Sequence, residues 1–372
     1  MKLLKVVANN FKNCKDNFSI DFLPKSRIYS QDKEYELQKI KENLYRFNTL
    51  AIVGKNASGK TTALDLLDCC YSILGNFRVE NKNYDYNNTN LKIYFIKENY
   101  IYKYEADLVK NDIYNKAIFK NEKISKKRYY KSSINQIYDD DKFEVVEFKS
   151  KLPEDISTLF FVLNSSEERA LYFDSFGKGA NTYKEVFNLI DTYKIDKKIF
   201  IDIVKLFDTN IKRIEKKDTY NYIIEYSNCE KIVSETELLY LLSSGTTKGI
   251  LLYLLMVISL TQGIDLIVDE IETHFHKTLV DNMISLYKDK KINKYNASLI
   301  FSTHYCELLN LFERQDNILI SRLEDGKISL LNMYVDEKIR NDILKSARFY
   351  EDTFKTNVDY NDLMTFKKDL MV

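Results

Sequence analysis

The chain has 372 residues, 45% of them apolar and 30% charged, enough to bury at least one substantial core, which excludes disorder as its dominant state. Its 56 Lys and Arg stand against 55 Asp and Glu, so no global basic excess marks a dedicated nucleic-acid binder, and any such contact needs a local patch. Five cysteines, Cys14, Cys69, Cys70, Cys229 and Cys306, are odd in number and form no CxxC pair, the pattern of reduced thiols in a cytoplasmic protein.

The first residues, MKLLKVVANNFKNCKD, lose their apolar character after Ala8, too soon for a signal-peptide core. KLLKVVA and NFSIDF alternate apolar and polar residues and predict a hairpin of edge strands over residues 1–23. The charged stretch from Tyr29 to Asn48 reads as a helical or mobile insertion. Thr49 to Val53 is an apolar strand that runs into glycine and then into a helical pattern from Lys60 to Leu74. Period-two alternation returns from Leu91 to Phe119 (LKIYFI, YIYKYEADL, NKAIF) and predicts antiparallel strands. Between 120 and 241 the elements are mixed: a basic segment, a strand over Thr158 to Leu163, two helices between Tyr183 and Phe207, and a hairpin near Tyr220 to Tyr226. No heptad run or internal repeat stands out there. From Ser243 onward helix, strand (DLIVD), helix (HKTLVDNMISLYK), strand (SLIFS), helix and final strands alternate, the order of a sheet covered by helices in an α/β fold. The apolar run Ile250 to Leu260 is about half of the roughly 20 residues that a membrane span needs, so it is expected as a buried helix with no membrane partner.

Gly54-Lys55-Asn56-Ala57-Ser58-Gly59-Lys60-Thr61 is a full GxxxxGK[ST] match between a predicted strand and a predicted helix. Its glycines let the loop aim backbone N–H groups inward, and the helix N-terminus adds positive potential, so phosphate oxygens are cradled without side-chain bulk. Lys60 is then placed to reach the β- and γ-phosphates of ATP, the Thr61 hydroxyl to coordinate Mg²⁺, and Thr62 to touch the α-phosphate. A chance glycine turn would lack the flanking strand and helix.

A phosphate loop of this kind requires a carboxylate for the metal and a group to orient water, and Leu266-Ile267-Val268-Asp269-Glu270 supplies both. Asp269 ends the apolar strand as the metal ligand, and Glu270 follows as base or positioner of the attacking water. Taken alone, an apolar run ending in Asp-Glu is equally an ordinary strand end facing solvent. All three histidines, His274, His276 and His304, follow this strand, and His304 at the end of SLIFSTH is a candidate sensor of the γ-phosphate. Leu242-Ser243-Ser244-Gly245-Thr246 holds one of the chain's nine glycines just upstream of the acidic strand; elsewhere Ser-Ser-Gly would be read as a helix cap.

The order of P-loop, LSSGT, LIVDE and FSTH resembles the ABC-type ATPases of the SMC/RecF group. That resemblance implies a P-loop NTPase with a mixed sheet, antiparallel N-terminal strands, and a helical and β insertion lobe between the P-loop and the signature. It divides the chain into 1–120, an insertion lobe at 121–241, and 242–372. It also gives Ser244 and Gly245 a role in capping the γ-phosphate of ATP held by the opposite subunit, hence a homodimeric ATP sandwich or a higher oligomer. Within that group the chain looks most like the AAA ATPases of abortive infection and overcoming-lysogenisation-defect systems, on Asp269-Glu270-Ile271-Glu272-Thr273-His274-Phe275-His276 and on FERQDNILISRLEDGKISLL. This implies a cytoplasmic phage-defence ATPase that controls a separately encoded effector protein, since the Toprim nuclease fused to some relatives is absent. The rival reading is a RecF/SMC-like ATPase of DNA repair or maintenance, with DNA as its partner. No Q-loop glutamine can be assigned.

Two weaker constellations remain. His274, His276, His304 and Cys306 carry metal-ligand chemistry, though the ATPase motifs already account for their placement. Lys120 to Lys131 mixes cations with Tyr129 and Tyr130, as either a solvated hairpin or a nucleic-acid contact would.

Overall fold

The alternating N-terminal runs form β1 (Lys2–Asn9) and β2 (Phe18–Asp21), which pair antiparallel with Val6 opposite Ile20. Leu4, Val6 and Ala8 on one face of β1 are fully buried, so the period-two pattern fixes which face meets the core. The computed structural model describes residues 1–175, 182–337, 344–350 and 360–370, and the chain divides into two compact units.

The first unit comprises Met1–Ala170 and Ile300–Val372. After β2, the stretch expected to be a helical or mobile insertion forms a short helix, α1 (Ser30–Tyr35), and an ordered hairpin, β3 (Leu37–Lys41) with β4 (Leu44–Phe47). Not all of its polar residues meet solvent: Glu36, Gln38 and Arg46 are wholly buried, while Lys33, Glu34, Lys39 and Glu42 are exposed. The buried strand β5 (Thr49–Val53) leads through the glycine loop into α2 (Lys60–Asn76). Then β6 (Thr89–Lys97), β7 (Tyr100–Asn111), β8 (Lys116–Arg128) and β9 (Glu144–Val145) extend the first hairpin into an antiparallel sheet of order β2-β1-β6-β7-β8-β9. The segment between β8 and β9 is anchored on that sheet: Ile137 belongs to a cluster with Leu4, Tyr94, Ile96 and Ile101, and Ile134, Tyr138 and Phe143 pack against it. The strand expected at Thr158 to Leu163 is instead a turn and a single helical turn, α3 (Phe160–Leu163). Glu122 holds that turn by accepting from the Ser157 hydroxyl at 2.7 Å and from the Thr158 N–H at 3.0 Å.

The second unit is Leu171–Leu299. Here β10 (Ala170–Asp174) is followed by α4 (Thr182–Tyr193) and α5 (Lys197–Phe207), the two helices expected. The hairpin predicted near 220 is a three-stranded meander, β11 (Ile211–Lys216), β12 (Asn221–Tyr226) and β13 (Glu230–Ser234). Ser234 then starts α6 (Glu235–Leu241) with a reciprocal capping box to Glu237. Next come α7 (Ser244–Gln262), β14 (Asp265–Asp269), which neighbours β10, and α8 (Lys277–Lys288). By length and composition α7 is apolar enough to cross a membrane, yet 61% of that window is buried within the protein. Gly249 makes the close packing possible, since an added Cβ would lie 2.2 Å from the Phe207 ring.

The chain continues through β15 (Leu299–Thr303), a 3-10 turn at Cys306–Leu311 where a helix was expected, β16 (Ile318–Glu324) and β17 (Lys327–Asn332), then α9 (Lys345–Tyr350) and α10 (Tyr360–Asp369). In the first unit the strand order is β15-β5-β16-β17; β16 is parallel to β5 and antiparallel to β17, so the α/β fold carries the mixed sheet expected. Just before β16 the buried Arg314 guanidinium donates to Asp316 (2.6 and 2.8 Å), to Asp32 (2.7 Å) and to Ser26, tying the N-terminal stretch to this strand. Of the cysteines, Cys14, Cys69 and Cys70 are buried, Cys306 is partly covered and Cys229 is exposed. Burial pushes the Cys14 thiol up to about 12 and the Cys70 thiol well above its usual range.

Candidate functional site

In the first unit the glycine loop joins β5 to α2, as the motif requires. A Cβ on Gly54 would come within 2.5 Å of the Ser58 hydroxyl and 2.6 Å of the Ser321 carbonyl. Gly59 has φ +99° and faces Ile328, where a Cβ would lie 2.5 Å from the side chain. Both positions therefore demand glycine, Gly59 for conformation as well as space. Ala57 shares the left-handed region at φ 59°, an uncommon conformation for a residue with a Cβ. The Ser321 hydroxyl holds the loop from β16 by donating to the Ser58 carbonyl at 2.8 Å.

Lys60, only 5% exposed, curls back over this loop. Its Nζ donates to the carbonyls of Gly54 and Lys55, each at 3.1 Å, and lies 3.2 Å from His304 Nδ1. Two residues 244 apart in sequence and singled out separately are thus brought together, with the imidazole accepting from the ammonium. Thr62 is buried, whereas Lys55, Asn56, Ala57 and Thr61 are exposed. A buried ammonium, a turn with no room for a Cβ at either glycine and a following helix N-terminus fit a phosphate group.

In the second unit β14 is buried along its whole length and ends at Asp269. Glu270 turns the chain with φ 49°, and its carboxylate accepts from the Thr273 hydroxyl at 3.1 Å. Ser175 fixes this turn through hydrogen bonds from its hydroxyl to the carbonyls of Asp269 (2.5 Å) and Glu270 (3.1 Å). Lys248 donates to the Ser175 carbonyl and lies 3.1 Å from His274 Nε2. Partial burial and then the Lys248 charge lower the His274 imidazole below its usual range.

The LSSGT segment begins α7. Ser243 is its N-cap, accepting from the Thr246 N–H at 3.0 Å, which leaves Ser244 exposed in the first turn. Gly245 lies close to the His274 backbone, where a Cβ would be 3.2 Å from its carbonyl oxygen. Ser244 and Lys248 also line a cavity of about 630 Å³ together with Tyr172, Phe173, Glu185 and Leu251.

Sequence reasoning missed Ser175 and Lys248. Lys248 is one helical turn beyond Ser244 and so legible in hindsight, whereas no local pattern marks Ser175. The remaining histidine has a structural role, with His276 Nδ1 accepting from the Thr278 N–H at the start of α8. Among the described residues no group of three or more His, Cys, Asp or Glu side chains gathers in a way that could hold a metal ion.

The family described as "AAA domain, putative AbiEii toxin, Type IV TA system" matches residues 49–310. The chain is also similar in structure to the crystal structure of an SmcHead bound to the C-winged helix domain of ScpA, at 13% identity and a TM-score of 0.48, covering 91% of this chain and 99% of that chain. No curated protein matches the sequence.

Proposed function

Because the chain belongs to the family of AAA domains described as putative AbiEii toxin, type IV toxin–antitoxin system, we propose that it binds ATP with Mg²⁺ and hydrolyses it as a switch that controls a separately encoded effector. The observation that carries this reading is the buried Lys60 ammonium, held by the carbonyls of Gly54 and Lys55 in a loop with no room for a Cβ at Gly54 or Gly59.

In this proposal Gly54 to Thr62 cradle the phosphates through backbone N–H groups, and Lys60 exchanges a loop carbonyl for the β- and γ-phosphate oxygens. Thr61 and Asp269 would hold Mg²⁺, which when bound neutralises phosphate charge. Glu270 orients the attacking water and receives its proton, while His304 donates toward the γ-phosphate. Ser244 is exposed and Gly245 half-buried beside it; they would cap the nucleotide of a second copy, so ATP would complete a homodimer by mass action. Family membership motivates the defence setting, in which the chain acts with a toxin or nuclease encoded nearby.

Glu270→Gln separates binding from hydrolysis. Phosphate release is expected to fall at least about 100-fold, with ATP binding retained and ATP-dependent dimers accumulating in light scattering. Ordinary turnover in that variant refutes the assignment. Co-purification with the products of neighbouring genes and a plaque assay test the defence role; no partner and no change in plaquing would remove it.

A further inference from the structure

The basic run singled out in the sequence has no part in the nucleotide chemistry, and in the first unit it forms a concave site. Tyr100, Lys126, Lys127, Arg128, Tyr130 and Lys142 line a pocket of about 530 Å³ where β8 meets the segment leading to β9, together with Ser132, Ser133, Gln136 and Glu144. This volume is in the range of small-ligand pockets.

The four cations are not equivalent. Lys127 is committed to the fold: it donates to the carbonyls of Gln136 (2.7 Å) and Asp139 (3.1 Å) and lies 4.3 Å from the centre of the Phe143 ring, clamping the segment to the strand. Lys142 donates to the neutral Gln136 side chain. Lys126 lies over Tyr100 at 5.2 Å and Arg128 over Tyr130 at 5.7 Å. Among the described residues none of these four cations is ion-paired with a carboxylate. Asp140, an acid of the same segment, is taken by Lys103 at 2.8 Å, and Glu144 is the one acid of the lining. Three positive charges therefore remain available beside an aromatic ring that is 56% exposed, in a chain whose overall charge is only +1.

We propose that this pocket binds single-stranded nucleic acid, with Lys126, Arg128 and Lys142 on successive phosphates and a base stacked on Tyr130. Cations alone would suit any polyanion. The exposed tyrosine face and the concavity favour an unpaired base over a duplex, whose bases are stacked inside, and over an acidic peptide, which has no ring to stack. The proposal does not rest on the ATPase reading, and its test is run without ATP.

The full chain is titrated into fluorescent oligothymidine and oligouridine of about 12 nucleotides, a duplex of equal length, and polyglutamate, with anisotropy as the readout. Single strands are expected to bind tightest, and the two oligomers show whether DNA or RNA is preferred. Neutralising three phosphates predicts a slope of about −2 for log affinity against log salt. Lys126→Gln with Arg128→Gln should weaken binding at least about 10-fold and flatten that slope. Tyr130→Ala should weaken it about 10-fold with the slope unchanged, a split that a general loss of charge would not produce. Unaltered thermal melting of each variant shows that the clamp by Lys127 is intact; a variant that melts early is replaced by Lys142→Gln. Equal binding by the altered and unaltered chains, or tighter binding of duplex or polyglutamate, overturns the proposal.

Discussion

The imidazole of His274 is 3.1 Å from the ammonium of Lys248, and that contact is favourable only while the ring is neutral. Its proton affinity is lowered by burial and by Lys248, so the unfolded chain takes up a proton near the ordinary 6.5 while the folded chain resists it. Stability from this site is fully present above that value and is lost as pH falls from it toward the lower folded value. An NMR titration of the ring should give a midpoint below 6.5, moving up toward it in Lys248→Met; an unmoved midpoint removes the coupling. At the scale of single residues, the legible part of the site is the part encoded by contiguous chain. Gly54 to Thr61 could be read because eight consecutive residues build one turn whose needs are local. The Lys60–His304 contact was not legible as a pair, since the start of α2 and the end of β15 deliver the two side chains from distant segments. Ser175, which fastens the turn after Asp269, left no trace because a lone serine before an unremarkable segment has no pattern to read.

Among elements, the ion network around Arg314 shows why charge density misleads. Residues 29–48 are rich in Lys and Glu, and composition alone assigns such a stretch to solvent. Yet Glu36 is fully buried, accepting from the Glu313 N–H at 3.0 Å and from the Asn317 side chain at 3.2 Å, and Asp32 is paired with Arg314. The partners lie near residue 315, and no periodicity within 29–48 could announce them. Arg314→Met would leave Asp32 and Asp316 buried without their cation, so a loss of about 3–5 kcal/mol is expected in urea denaturation. A loss below about 1 kcal/mol would show that water reaches these carboxylates and replaces the guanidinium. The misread strand at Thr158 to Leu163 has a similar origin. Its apolar residues have strand-like composition, but Glu122 on β8 captures the Ser157 hydroxyl and the Thr158 N–H and turns the chain.

For the molecule as a whole, the α/β class was legible from the order of elements after Ser243 and from the alternation in β6 to β8. The return of Ile300–Val372 to the unit of Met1–Ala170 was not, because strand pairing between Ile318 and Ala51 is a long-range choice that no short window contains. The distribution of sulfur across the fold has a practical consequence. Cys229 is exposed between β12 and β13, Cys306 is half covered, and the other three thiols are sealed in the core. Maleimide added to the native chain should attach first at Cys229 and more slowly at Cys306, which intact-mass spectrometry can follow; early adducts at Cys69 or Cys70 would contradict the burial of α2. The protein thus comes equipped with its own handle for a fluorophore, and with three silent reporters that become readable only when the molecule opens.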